Sequence, residues 1–270
     1  MDDFLTTILY VLLGLLQGLT EPLPISSSGH MVLFQRLTGM EDYGLFFENL
    51  LHIASLIAIV VILRKRIVEL ARGTFRYIFL RDRAYATAFH DVLKILLAAV
   101  PIGIVGFTLG PYIDGFTPLW SVGAGLFVTA AFLLLVQRAS TVNTKEHVGL
   151  LDAVVIGLAQ VAALLPGISR SGSTFVGGLS RKLDFKKTIE FSFLLYIPVT
   201  LGVTIYEMWF AERVIDVAIP TIVLSFVASA FMTYFAFRFF VGMVAKGRLK
   251  VFAYYCFAAG AFALIAHFVI

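Results

Sequence analysis

The sequence predicts an all-α polytopic membrane protein: six transmembrane helices plus two re-entrant helical hairpins, arranged as an inverted-topology repeat in a single membrane domain, 1–270. Three observations carry this prediction. The chain is 60% hydrophobic and only 14% charged, with a mean hydropathy of +0.94, whereas a soluble domain carries about 25% charged residues. Its apolar residues fall into runs of bilayer length, about 20 residues for each spanning helix. A Pro-, Ser- and Gly-containing segment also recurs in the second half of the chain.

Six uninterrupted runs are read as spans: 46–63, 91–110, 119–137, 188–207, 218–240 and 251–270. Two more stretches, 5–38 and 151–180, are apolar but broken in the middle by Pro, Ser and Gly. Irregular backbone at membrane depth survives only where protein or a watery cavity satisfies its polar groups. Both stretches therefore read as pairs of half-helices with a loop between them. The N-terminus begins Met-Asp-Asp, without a basic leader, so the first apolar stretch is expected to be retained.

Orientation follows from the basic residues. The 64–83 loop holds Arg64, Lys65, Arg66, Arg72, Arg76, Arg81 and Arg83 and is placed inside. Alternation then puts 138–150, 181–187 and 241–250 inside as well, each with Lys or Arg. It leaves 39–45, 111–118 and 208–217 outside, where Glu41, Asp42, Asp114, Glu212 and Asp216 outnumber the lone Arg213. Basic residues at the ends of apolar runs form a membrane-orientation pattern rather than a nucleic-acid stripe. The single cysteine, Cys256, excludes an internal disulfide or a cysteine metal cluster and reads as a small buried apolar residue.

Residues 14–30, GLLQGLTEPLPISSSGH, align without a gap to residues 157–173, GLAQVAALLPGISRSGS, at an offset of 143. Seven of the seventeen positions are identical, including Gln17/Gln160, Ile25/Ile168, Ser26/Ser169, Ser28/Ser171 and Gly29/Gly172. Membrane bias explains a shared Leu but not Gln, Ser and Gly paired in one register. The halves, about 1–140 and about 150–270, are each one hairpin followed by three spans. Three is odd, so the second half starts on the opposite side of the membrane. Inverted repeats of this kind place their broken helices at a shared site near the midplane.

The two broken segments also carry the chemistry. Gln17 and Glu21 are spaced i, i+4 and share one helix face. Pro22 and Pro24 then end that helix. Ser26, Ser27, Ser28 and Gly29 supply hydroxyls and free amides at the start of the next half-helix, where anions bind, and His30 sits in its first turn. The second segment places Ser169, Arg170, Ser171 and Gly172 at the matching positions. An ionisable side chain inside a membrane is costly and marks function by default. A carboxylate, a histidine, hydroxyls and an arginine on two facing tips suit phosphoryl transfer. Arg170 would hold phosphate oxygens, a serine would attack phosphorus, and His30 or Glu21 would take its proton. Glu21 is alternatively a ligand for a divalent cation, Mg or Ca, bridging the phosphates. Of the other histidines, His52 and His267 read as hydrogen-bonded helix residues, and His90 and His147 as loop-end residues. Glu48 and Glu190 read as carboxylates favouring a helix N-terminus and, at most, as residues supporting the site.

These motifs resemble those of the undecaprenyl-diphosphate phosphatase, or bacitracin-resistance protein, family. The family's Glu/Gln-x-x-x-Glu element is similar to Gln17–Glu21. Its Pro-x-Ser-Ser-x-Gly-His element falls on Pro24, Ser26, Ser27, Gly29 and His30. Its Pro-Gly-x-Ser-Arg-Ser-Gly element falls on Pro166, Gly167, Ser169, Arg170, Ser171 and Gly172. The resemblance extends over the whole chain in span number and motif spacing. It implies hydrolysis of undecaprenyl diphosphate to the monophosphate and phosphate in a bacterial cell membrane, which recycles the cell-wall lipid carrier and confers bacitracin resistance. It further implies a site open to the outer, periplasmic side, with Ser27 as nucleophile. The expected catalytic set is Glu21, Ser27, His30 and Arg170. Gln17, Ser26, Ser28, Gly29, Ser169, Ser171 and Gly172 are expected to bind substrate. The expected partners are a polyprenyl diphosphate lipid and membrane lipid, with no nucleic acid and with homo-oligomerisation left open. The inverted repeat leaves one alternative, a flippase or transporter of polyprenyl phosphate lipids.

Overall fold

The structure, a computed structural model, describes residues 3–40, 44–114, 118–139, 145–210 and 217–269. Ten α-helices follow one another among the described residues: α1 Asp3–Thr20, α2 Ser27–Thr38, α3 Gly44–Phe79, α4 Ala86–Asp114, α5 Leu119–Ala139, α6 Leu150–Val161, α7 Arg170–Ser180, α8 Phe185–Phe210, α9 Ile219–Ala245 and α10 Leu249–Val269. No strand occurs among them, only one isolated parallel bridge between Lys145 and Leu183.

Six helices are long and apolar enough to cross a membrane, over Phe46–Phe79, Arg83–Gly110, Leu119–Gln137, Phe185–Trp209, Ile219–Ala245 and Leu249–Val269. They match the six predicted spans, with α9 starting at Ile219 rather than 218 and residue 270 outside the described residues, and the chain is a multi-pass membrane protein. The basic 64–83 segment differs from expectation. It is not a loop: α3 runs through it to Phe79. Arg and Lys are good helix formers and no proline interrupts them, so the helix continues beyond its apolar part. The acidic residues Glu41, Asp42, Glu212 and Asp216, with Arg213, lie outside the described residues.

Lipid tails are as apolar as leucine, so helices in a membrane associate through close packing and polar contacts rather than through hydrophobic burial. Helix α1 lies on α9, and α6 lies on α4. Gly14 and Gly18 face the carbonyls of Ser225 and Ser229 so closely that an added Cβ would collide with them, and Gly157 meets the Ala98 carbonyl in the same way. Hydroxyls join the same surfaces. Thr7 and Thr221 are 2.8 Å apart, Ser55 and Ser229 3.2 Å, and Thr233 donates to Ser55 at 2.9 Å. Helix α5 packs along α10, with Leu126, Leu133, Phe240 and Phe252 in a core shared with α7, α8 and α9.

Charges gather at one end of α3, α4 and α8. Arg66 donates to Glu190 at 2.8 Å and Asp91 at 3.0 Å, and pairs with Glu69 at 2.8 Å. Nearby, the buried Asp152 is held by Lys145 at 2.7 Å and Arg181 at 2.9 Å. These contacts tie the basic segments to the helix ends that the residue pattern places inside.

Candidate functional site

The site forms where two turns meet. In the first, α1 ends at Thr20 and the chain turns through 21–25 before α2 begins. Ser26 caps α2: its Oγ accepts the Gly29 N–H at 3.3 Å. Its φ of +68° is rare for a residue with a side chain, and backbone of this kind persists only where neighbours hold it. The holding group is His30, whose Nδ1–H donates to the Ser26 carbonyl at 2.7 Å.

The second turn repeats the device. Ser169 caps α7, its Oγ accepting the Gly172 N–H at 3.1 Å. Thr129 on α5 fixes the approach by donating to the Gly167 carbonyl at 3.2 Å and accepting the Ser169 N–H at 3.1 Å. Gly167 has a φ of +83°, and a Cβ there would strike the Val122 carbonyl, so both conformation and space require glycine. The turns touch directly. Ser171 Oγ donates to the Leu23 carbonyl at 2.9 Å, and a Cβ on Gly29 would lie 3.1 Å from Gly167 Cα.

Glu21, buried just after α1, is the centre of the contact. Its Oε2 accepts Ser27 Oγ–H at 2.6 Å and Gln17 Nε2–H at 2.9 Å, while Arg170 from the other turn pairs with Oε1. The Arg170 guanidinium lies 3.7 Å over the Tyr196 ring of α8, a cation–π contact that fixes its plane. Tyr196 in turn donates to the His52 carbonyl at 3.0 Å. His52 Nδ1 is 3.0 Å from Gln17 Nε2 and 3.5 Å from Glu21 Oε2, and its Nε2 is 3.8 Å from Glu48. A cavity of about 500 Å³ opens here, lined by Glu21, Ser27, Ser28, Glu48, His52 and Arg170 among others. The arrangement is a serine hydroxyl hydrogen-bonded to a carboxylate, with a fixed guanidinium beside both.

The sequence-predicted residues therefore divide. Glu21, Ser26, Ser27, Ser28 and Arg170 line the cavity. Gln17 supports Glu21 from behind. Gly29, Ser169, Ser171 and Gly172 lie off the cavity and shape the two turns by capping and contact. His30 also lies off it. Because Nδ1–H is committed to Ser26, its Nε2 accepts the Tyr255 hydroxyl at 2.8 Å, and neither nitrogen faces Ser27. Of the two bases open in the sequence, Glu21 is the one hydrogen-bonded to Ser27 Oγ. Residues missed as site members are His52 and Tyr196, while Glu48, expected at most to support the site, lines the cavity. Glu48 and His52 do carry a signal, since two ionisable groups at i, i+4 on one apolar helix mark a polar face in the membrane. Tyr196 carries none. Cys256, read as an apolar filler, is buried and donates to the Pro24 carbonyl at 3.7 Å.

Glu21 does not fit the role of cation ligand as placed. Both its oxygens accept from side-chain donors, and Gln17 presents its nitrogen rather than its oxygen. Among the described residues, no group of three or more His, Cys, Asp or Glu is arranged to hold a metal.

Comparison with known proteins agrees with the motifs. The model of the family described as bacitracin resistance protein BacA matches residues 10–262. An undecaprenyl-diphosphatase of Oceanobacillus iheyensis is 40% identical over 270 residues, 98% of each chain. Undecaprenyl-diphosphatase 2 of Bacillus thuringiensis is 38% identical over 269 residues, covering 98% of this chain and 99% of that one. Undecaprenyl-diphosphatase 1 of Halalkalibacterium halodurans is 36% identical over 255 residues, 93% of each.

Proposed function

The chain belongs to the bacitracin resistance protein BacA family, and from that premise we propose that it hydrolyses undecaprenyl diphosphate to undecaprenyl phosphate and inorganic phosphate, recycling the lipid carrier of cell-wall synthesis and conferring bacitracin resistance. The observation that carries the mechanism is the Ser27–Glu21–Arg170 cluster in one cavity. Substrate phosphate draws Arg170 from Glu21, and the freed carboxylate takes the Ser27 proton. Ser27 Oγ bonds the terminal phosphorus as the bridging P–O bond breaks, its electron pair leaving on the lipid monophosphate. Once Glu21 has lost that proton, water attacks the phosphoseryl group and gives Glu21 a proton, and Glu21 returns it to Oγ as the Oγ–P bond breaks. Arg170 offsets charge on the phosphoryl oxygens throughout. Ser26 and Ser28 offer further hydroxyls in the cavity, and Ser169, Ser171, Gly29 and Gly172 hold the turns. Mg or Ca is kept in this reading only as a counter-ion of the diphosphate, with no side chain assigned to it.

The inverted repeat belongs to the same proposal, with α1–α2 and α6–α7 as re-entrant hairpins and a site open to the outer side of the cell membrane. Two features support it. Helices α2 and α7, of 12 and 11 residues, are too short for a core about 30 Å thick. The halves also exchange packing, α1 onto α9 and α6 onto α4, each through a repeat-related glycine, Gly14 or Gly157. Cysteines at Arg36 and Lys186, in a chain with Cys256 replaced by Ala, are expected to label from opposite sides of the membrane. Same-side labelling would end the inverted-repeat reading.

A second cavity of about 440 Å³, lined by Arg66, Asp91, Lys187 and Glu190, lies at the other ends of α3, α4 and α8. It favours a second reading, a flippase of polyprenyl phosphate lipids. Purified protein given undecaprenyl diphosphate separates the two: the phosphatase releases phosphate and forms a trappable phosphoserine, whereas a pure flippase releases none.

A further inference from the structure

Resting on the phosphatase reading, we infer that His52 and Glu48 form a proton exit for the buried Glu21. Above neutrality, the lipid diphosphate trianion and Ser27 become the lipid monophosphate dianion and a phosphoseryl dianion, so the first step releases one proton. The second step releases none. Glu21, which collects the first proton, must therefore lose it before it can accept one from water. Its side chain is only 2% exposed, and its direct neighbours Gln17, Ser27 and Arg170 are donors rather than outlets.

His52 is the exception. A carboxylate only accepts, so the nitrogen of the Gln17 amide faces Glu21. The same nitrogen lies 3.0 Å from His52 Nδ1, so Nδ1 accepts and the ring proton sits on Nε2. An unprotonated Nδ1 thus stands 3.5 Å from Glu21 Oε2. Once Glu21 is protonated, a small swing of the ring off the amide brings Nδ1 within reach of that proton. The Nε2 proton then departs to Glu48, 3.8 Å away on the same helix face and on the cavity wall. Exchange with cavity water restores the starting tautomer. The other groups facing the ring are Tyr196 of α8, which holds the His52 carbonyl, and Arg170 of α7, which stacks on that tyrosine. His52 acts through Glu21 and never touches the phosphorus.

A relay differs from a packing role in its response to buffer. The test measures undecaprenyl diphosphate turnover by purified wild type, His52→Gln, His52→Ala and Glu48→Gln in weak buffer above neutrality, with increasing imidazole. Wild type is expected to be indifferent to imidazole. Both His52 variants are expected to fall by about 10²-fold, the scale of one proton-transfer group, and to recover in proportion to imidazole, most fully for His52→Ala, which leaves room for it. Glu48→Gln is expected to fall by less and to recover likewise. Variants at the wild-type rate, or slow variants that ignore imidazole, would overturn the relay. If neither His52 variant stays folded, Glu48→Gln decides by the same two readings. Absence of phosphate release by wild type would instead sink the phosphatase reading itself.

Discussion

The two turns share one capping plan and hold different chemistry. In each, a serine caps the following helix, Ser26 through Gly29 and Ser169 through Gly172, and pairs with a second serine two residues on, at 3.4 Å in the first turn and 3.2 Å in the second. The backbone at the capping serines differs, with a φ of +68° at Ser26 and −73° at Ser169, and so do the residues around them. Where the first turn has Glu21 and Ser27, the second has Leu164 and Arg170. The glutamines differ in fate as well. Gln17 donates to Glu21 and approaches His52, while Gln160 is buried with neither amide atom partnered among the described residues. A repeat can thus keep its capping bond twice and divide the charged and polar groups: carboxylate and hydroxyl on one tip, cation on the other. Neither turn alone is a site.

Removing the carboxylate or hydroxyl of the first turn is expected to cost most. Ser27→Ala and Glu21→Gln are each expected to lower phosphate release by about 10³-fold or more. Near-normal turnover in folded Ser27→Ala would show that water attacks directly. Arg170 comes next. Arg170→Ala is expected to cost about 10²–10³-fold, roughly 3–4 kcal/mol of transition-state stabilisation. Arg170→Lys is expected to fall between it and wild type, because the charge survives but the planar fork and its stacking on Tyr196 do not. Removing one partner of a buried pair also destabilises the fold, so melting temperatures must accompany these rates. Folded Arg170→Ala with normal turnover would leave the second turn architectural.

The sharper tests make one substitution at repeat-related positions. Gln17→Leu removes the donor to Glu21 and is expected to slow turnover about tenfold, the scale of one hydrogen bond to a charged group. Gln160→Leu is expected to leave turnover unchanged and to raise stability by about 1–3 kcal/mol, because two buried unpaired amide atoms are replaced by apolar ones. Equal losses at both positions would break the distinction between the turns.

The sequence by itself determined the spans, the breaks and the polar residues that the two turns bring to the cavity, Glu21, Ser26, Ser27, Ser28 and Arg170. Hydropathy is a local property, so each run of about 20 apolar residues declares itself. Proline at 22, 24 and 166, clustered with Gly and Ser, marks where the two apolar stretches break, whereas the isolated Pro101 and Pro198 lie within continuous helices α4 and α8. The offset of 143 aligns Arg170 with the Ser27 position. It did not reveal where α3 gives up its helix, since charged residues propagate a helix as well as apolar ones do.

Only the tertiary structure decided which histidine faces the carboxylate. His30 stands beside the motif serines in sequence, yet its backbone bond to Ser26 turns it away toward Tyr255. His52 is 31 positions from Glu21, and whether it meets lipid or carboxylate depends on the rotation of α3 about its own axis. That rotation is set by contacts from elsewhere in the chain, Ser229 donating to the Leu51 carbonyl and Tyr196 to that of His52. No local pattern encodes such a rotation, because it is a property of the packed bundle.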